Sequence, residues 1–377
     1  MRGLWLMAVW LGLAGFSAEA GTNVFWAYIG TYTGKGSEGI YAARFDAETG
    51  ELSPLKLAAK LANPCFLAVR PGGESLITAS DIGTNGTVAA FWIDGKSGGL
   101  TALNDFMCGS KGICHVSYDA TGKYAFAASY GSGQIFAWKV GSDGRLGELT
   151  ARVQHTGKGA NPSRQAGPHA HQIVTDPGNK YVFVCDLGLD KVMAYRLNGE
   201  TGALPAADPA FTRVAPGAGP RHLVFAPGGR FAYVVNEMGS SVMAFAYAGE
   251  SGRLRELATY PTLPAGYPNA AANTGAEVAV HPSGKWLYAS NRGADDIAIF
   301  NVNAETGLLS PAGYEPTGGS TPRFFTLDPT GKWLFAGNQN SASLKIFAVN
   351  PETGGLTPAG PGVTLNAPVS VVFVPAL

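Results

Sequence analysis

The chain has 377 residues, with 27 basic side chains balanced by 27 acidic ones. A net charge of zero supplies no electrostatic reason to bind nucleic acid or an anionic membrane surface. Only 14% of residues are charged, whereas glycine reaches 52 and proline 24, which argues against long charged helices and for many short strands joined by tight turns.

The first twenty residues, MRGLWLMAVWLGLAGFSAEA, read as a secretory leader. Arg2 supplies the positive start, and Leu4 to Phe16 form an apolar run too short to span a bilayer. Ala18-Glu19-Ala20 is a small-x-small cleavage site. Export to the periplasm or beyond, cleavage near Ala20 and no stable membrane insertion are the expectations, leaving one domain over residues 22–377.

Next come two strands with no partner before them, VFWAYIGTYT (24–33) and GIYAARFD (39–46). A strand–turn–strand unit then recurs six times, at 63–81, 112–130, 169–187, 219–237, 274–292 and 321–339. Its turns fall at Gly73, Gly122, Asn179, Gly229, Gly284 and Gly331, 47 to 57 residues apart. Asn179 fits the series because asparagine, after glycine, best tolerates the left-handed backbone such a turn needs. A second set of turns, of the type ETG or SGR, places Gly50, Gly98, Gly144, Gly202, Gly252, Gly307 and Gly354, which makes seven repeats. Alternating segments such as KVMAYRL and SVMAFAY between the two turn types read as half-buried strands.

Four strands in about 50 residues is the signature of a propeller blade. The chain ends on an orphan inner strand, VSVVFVPAL (369–377), which is expected to pair with the N-terminal strands. The predicted fold is therefore all-β: a single seven-bladed β-propeller of four-stranded antiparallel blades, the last closed by N- and C-terminal strands, with no exposed edges.

Antiparallel pairing places residues equidistant from a turn at the same end of a hairpin. Eight positions before each turn stand Cys65, Cys114, His171, Arg221, Ala276 and Arg323; eight after stand Asp81, Tyr130, Leu187, Glu237, Arg292 and Gln339. All are predicted to open on one mouth of the central channel, with Tyr32 in the split blade and Tyr130 either forming walls or simply packing. His169, His171, Arg221, Glu237, Glu277, Arg292 and Arg323 form the candidate site, suited to a small anionic or polyhydroxylated ligand. His169 and His171 are two apart and should point the same way on a strand, but no third ligand of matching spacing is evident, so neither a metal nor another cofactor is expected. His222, next to Arg221, is expected on the opposite face as a structural hydrogen-bonding residue, and Asp81 is read as a local variant without a role. The four cysteines, Cys65, Cys108, Cys114 and Cys185, show no CxxC spacing. An exported chain could oxidise them, with Cys108 and Cys114 the pair nearest in sequence.

YIGTYT (28–33), GPHAH (167–171), DLGLDKV (186–192), APGAGPRH (215–222), VNE (235–237), NTGAEVAVHPSGKWLYASNRG (273–293) and TPRFF (321–325) together resemble the lactonase family of seven-bladed propellers. That family includes propeller-type 6-phosphogluconolactonases and carboxymuconate lactonising enzymes. The resemblance implies hydrolysis, or the reverse formation, of a lactone ring. It marks Arg221, Glu237 and a GPHAH histidine, His171, as the catalytic group, with His169, Glu277, Arg292 and Arg323 in substrate binding.

A ring-opening step follows from these residue types. Glu237 or a neutral His171 would take a proton from the attacking water, Arg221 would stabilise the oxyanion, and Arg292 with Arg323 would hold a carboxylate or phosphate. Export makes an unphosphorylated sugar lactone as reasonable a substrate as a phosphorylated one. The alternatives are a non-catalytic exported propeller binding carbohydrate or protein at the same mouth, and a lactone-forming muconate cycloisomerase. The oligomeric state is not readable from the sequence.

Overall fold

The computed structural model describes residues 23–34 and 36–377, so the leader and its cleavage site lie outside the described residues. The repeated turns build its unit. In TDPGNKY, both Lys180 and Tyr181 donate backbone N–H groups to Asp176 Oδ1 at 2.7 Å, and Asn179 adopts φ 53°. The aspartate thus closes the turn and the asparagine supplies the left-handed residue. Asp119 and Asp328 cap equivalent turns.

Seven antiparallel sheets result, six of them in simple meander order. Their strands, from the axis outwards, are as follows. The first blade has Pro64–Val69, Ser75–Ser80, Thr87–Ile93 and Leu100–Met107. The second has Ile113–Tyr118, Tyr124–Ser129, Gln134–Val140 and Leu146–Gln154. The third has Ala170–Thr175, Tyr181–Asp186, Lys191–Arg196 and Ala206–Arg213. The fourth has Pro220–Phe225, Phe231–Asn236, Ser241–Ala248 and Arg253–Pro261. The fifth has Thr274–Val280, Trp286–Arg292, Asp296–Val302 and Leu309–Pro316, and the sixth begins Pro322–Leu327, Trp333–Asn338 and Ser343–Val349.

The seventh blade closes the ring. Its inner strand is C-terminal, Pro368–Pro375, paired with Val24–Thr31 and then Gly39–Asp46. The outermost strand of this blade is split into Glu51–Leu52 and Lys56–Lys60, and that of the sixth into Leu356–Pro358 and Val363–Thr364. Pro54 and Pro361 lie in the gaps, where a missing N–H cannot continue the ladder.

Apolar cores lie between the sheets. Each of seven buried clusters joins two consecutive blades, and one of them, with Tyr28, Leu67 and Phe91, joins the seventh to the first. Second strands are sandwiched on both faces, which is why Tyr181–Asp186 reads as a continuous buried run rather than an alternating one. The outer-turn glycines add a second contact between blades. Gly50, Gly98, Gly202, Gly252, Gly307 and Gly354 lie against Trp333, Trp26, Tyr124, Tyr181, Phe231 and Trp286 of the preceding blade, so close that a Cβ would meet the ring. At Gly144 the partner is Ser75 instead. All four cysteines are buried free thiols.

Candidate active site

The inner strands carry one extra residue each, and this builds the site. In the fourth blade Pro220 pairs with Asn236 and His222 with Val235, leaving Arg221 unpaired in a β-bulge. The same irregularity falls at Cys65, Cys114, His171, Arg323 and Val369, and as a two-residue bulge at Ala276-Glu277. A bulge interrupts the ladder and re-aims the side chain. Side chains from all seven bulges converge on one small gap at the centre of the ring.

That displacement explains where the predicted residues go. Under a bulge-free count Arg221 and Glu237 are opposite each other; here the Glu237 N–H instead bonds Gly219 O at 2.7 Å. His222, expected on the opposite face, is turned inwards with Phe66, His115 and Phe324. Their rings lie 4.2 to 5.9 Å apart and plug the channel. Its structural hydrogen-bonding role remains, but from the centre of the ring.

Above this plug opens a cleft of about 620 Å³, a size suited to a small ligand. His171, Glu237, Arg292 and Arg323 line it together with Tyr32 and Tyr130. Arg221 and Glu277 do not: they lie beneath its floor. His169 does not line it either. It precedes its strand, donates through Nδ1–H to the Tyr130 backbone carbonyl at 2.7 Å, and stacks on the Tyr130 ring. The bulge at His171 therefore breaks the two-residue alternation, and the histidines face different surroundings. Asp81, read as having no role, lines the cleft, as do Lys111 and Arg164. Arg164 comes from the long connection between the second and third blades, and that length was the available signal.

Glu237 is the hub. Its Oε2 lies 2.8 Å from Arg292 and 3.3 Å from Arg221 Nε, and its Oε1 accepts from Arg164 at 2.6 Å. Burial alone would raise its pKa, but Arg292, Arg221 and Arg164 outweigh it and hold the carboxyl down to about 2. Arg221 is nearly inaccessible, and one of its terminal nitrogens donates to Ala276 O at 2.6 Å.

Arg323 differs from the others. It stands over the Tyr32 ring at 5.7 Å and, among the described residues, forms no ion pair. The lining thus carries four cationic side chains against two acidic ones, with Arg323 and Lys111 free to meet an anion.

His171 meets the cleft from below. Its Nδ1 lies 3.2 Å from His222 Nε2, and Tyr130 packs edge-on against its ring. Burial, then Arg221, His222, Arg323 and Arg292, hold His171 well below the usual histidine range, so its imidazole is neutral. A neutral, partly confined imidazole beside arginines is equipped to accept a proton while positive charge awaits a developing oxyanion.

Comparison with known proteins fits this geometry. Residues 26–373 match the family described as lactonase, 7-bladed beta-propeller. The 6-phosphogluconolactonase of Bacillus subtilis is 38% identical over 283 residues, covering 75% of this chain and 79% of that protein. A protein of the same description from Formosa agariphila is 33% identical, over 75% and 80% of the two chains. The solved periplasmic gluconolactonase of Pseudomonas aeruginosa superposes with a TM-score of 0.89 at 32% identity, over 94% of this chain and 100% of its own.

Proposed function

Since the chain belongs to the lactonase family of seven-bladed β-propellers, we propose that its cleft opens the ring of a sugar-acid lactone by hydrolysis. The observation that carries this reading is His171 at the floor of a cleft whose Arg323, among the described residues, forms no ion pair. The relatives named as 6-phosphogluconolactonase and gluconolactonase support lactone hydrolysis over simple ligand binding.

His171 is the general base. Water loses a proton to its Nε2 as the oxygen attacks the lactone carbonyl, and the ring oxygen regains a proton when the C–O bond breaks. Glu237 is the weaker choice of base, because three guanidiniums keep it ionised and occupy both its oxygens. It instead orients Arg164 and Arg292. Arg292 and Arg323, which line the cleft, neutralise the oxyanion and seat any substrate anion. Arg221, buried below with a terminal nitrogen on a carbonyl, anchors Glu237 rather than touching the substrate.

We also propose export, on the strength of the leader-like segment around Arg2, Leu4–Phe16 and Ala20 and of the periplasmic structural relative. Export weighs towards an unphosphorylated lactone. The test is acid release from gluconolactone and from its 6-phosphate, corrected for spontaneous opening. Wild type should exceed the buffer rate, and His171→Ala should lose about 10²- to 10⁴-fold in kcat/KM. A wild-type rate equal to that in buffer for both lactones would overturn the reading.

A further inference from the structure

Glu277 cannot touch a substrate in the cleft, yet it is tied to the residue that does. Its Oε1 lies 2.8 Å from His222 Nδ1, and His222 Nε2 lies 3.2 Å from His171 Nδ1. The Val278 backbone N–H also donates to Oε1, at 3.1 Å, marking that oxygen as an acceptor. The order of the protons follows. His222 donates through Nδ1 to the carboxyl, so its Nε2 carries a lone pair, and His171 donates to that lone pair through its own Nδ1. The second His171 nitrogen, Nε2, is then left with a lone pair at the cleft end.

We propose that Glu277 is the terminal proton acceptor for His171, connected to it through His222 in a single-file relay. The proposal rests on His171 as the base in lactone hydrolysis. In the forward direction a water O–H bond breaks and His171 Nε2–H forms. The His171 Nδ1 proton passes to His222 Nε2, the His222 Nδ1 proton passes to Glu277, and hydroxide adds to the carbonyl carbon. When the tetrahedral adduct collapses, the ring C–O bond breaks. The same three transfers run backwards and deliver the proton to the leaving alkoxide, restoring the Glu277 carboxylate. The carboxylic acid product then ionises and releases one proton to solvent.

The surroundings favour this placement of the proton. Arg221 from the fourth blade, Arg292 from the fifth and Arg323 from the sixth face the two imidazoles, as do His115 from the second blade and Glu237. Tyr130 and the Cys114 thiol also pack against His171. Burial, reinforced by the arginines, makes an imidazolium unfavourable at either histidine. The carboxyl is different. Its Oε2 is buried with no hydrogen-bond partner among the described residues, and burial, only partly offset by Arg221, the Val278 N–H and Arg323, raises its pKa to about 8. Two rings unable to keep a charge lead to an acid that readily holds a proton.

The test compares kcat/KM against pH, corrected for spontaneous opening, for wild type, His171→Ala and Glu277→Gln with gluconolactone. Glutamine preserves an acceptor for His222 Nδ1–H, and so the tautomers, but cannot take up the proton. Wild type should rise through a midpoint near 8, set by Glu277. Glu277→Gln should lose on the order of 10²-fold above that midpoint and lack the limb altogether. A Glu277→Gln profile with the same limb, at whatever rate, overturns the relay.

If His171→Ala is inactive while Glu277→Gln matches wild type, only the relay falls. If wild type does not exceed buffer, the hydrolase reading itself falls. Should Glu277→Gln not fold, imidazole ¹⁵N resonances of the wild-type chain decide. Both His171 and His222 should remain neutral with protonated Nδ1 at high pH; an imidazolium or a protonated His171 Nε2 there overturns the relay.

Discussion

Glu237 and Glu277 show how two carboxyls within one ring acquire opposite properties. Glu237 is held at about 2 by three guanidiniums that outweigh its burial, below the 4.5 of an unperturbed glutamate. Its contribution to stability is therefore complete above pH 4.5 and is lost as pH falls towards 2, an effect of roughly 3 kcal/mol. Melting temperatures of wild type and Glu237→Gln should converge through this acid window, and at neutral pH the variant should be less stable by about 3–5 kcal/mol, since it leaves buried guanidiniums uncompensated. A variant as stable as wild type at pH 7 would contradict the hub. Glu277, raised from 4.5 to about 8, has the opposite slope: its contribution declines as pH rises between those values. Arg323→Ala should raise KM for an anionic lactone more than for gluconolactone; equal increases would mean that Arg323 does not meet the anion. His171, Glu237, Arg292 and Arg323 were all legible as cleft residues from their places relative to the turns. Arg221 and Glu277 were legible as central but not as buried. What misplaced them was the bulge, because an extra unpaired residue leaves no mark in an alternating pattern.

At the scale of the strand and turn, glycine has two separable roles. Gly202 adopts φ 73°, and a Cβ there would collide with the Tyr124 ring. Gly228 adopts φ 83° with nothing within 4 Å of the same position. Gly228→Ala should therefore cost only the backbone term, about 1–2 kcal/mol. Gly202→Ala should add a further 1–3 kcal/mol or so from overpacking between blades. Urea unfolding of the two variants checks the difference, and equal losses would mean that the glycine–aromatic contact contributes nothing. The aspartate-capped turns were visible as sequence spacing, but the partner ring of each outer glycine was not. Gly202 and Tyr124 are in different blades, and no local pattern pairs them.

For the whole molecule, closure is the decisive property. Pro368–Pro375 pairs with Val24–Thr31, so the two ends of the chain seal the last blade. Removing residues 368–377 should expose a strand edge, empty the inner position of one blade and abolish cooperative melting. A truncated chain that melts like wild type would contradict the closure. The free thiols make a second claim at this scale: with Cys65, Cys108, Cys114 and Cys185 all unpaired, added reductant should leave the melting temperature unchanged.

The sequence by itself determined the repeat number, the turn chemistry and the ring closed by its own termini. Those depend on short-range rules: a period, a left-handed residue, an apolar alternation. It also brought histidines, arginines and carboxylates to one end of the ring. Only the tertiary structure decided which of them reach the cleft, that His169 turns away while Arg164 joins from a distant loop, and that Glu277 connects to His171 through His222. These outcomes depend on bulges and on contacts between blades, where depth and direction are set by packing against residues fifty or more positions away.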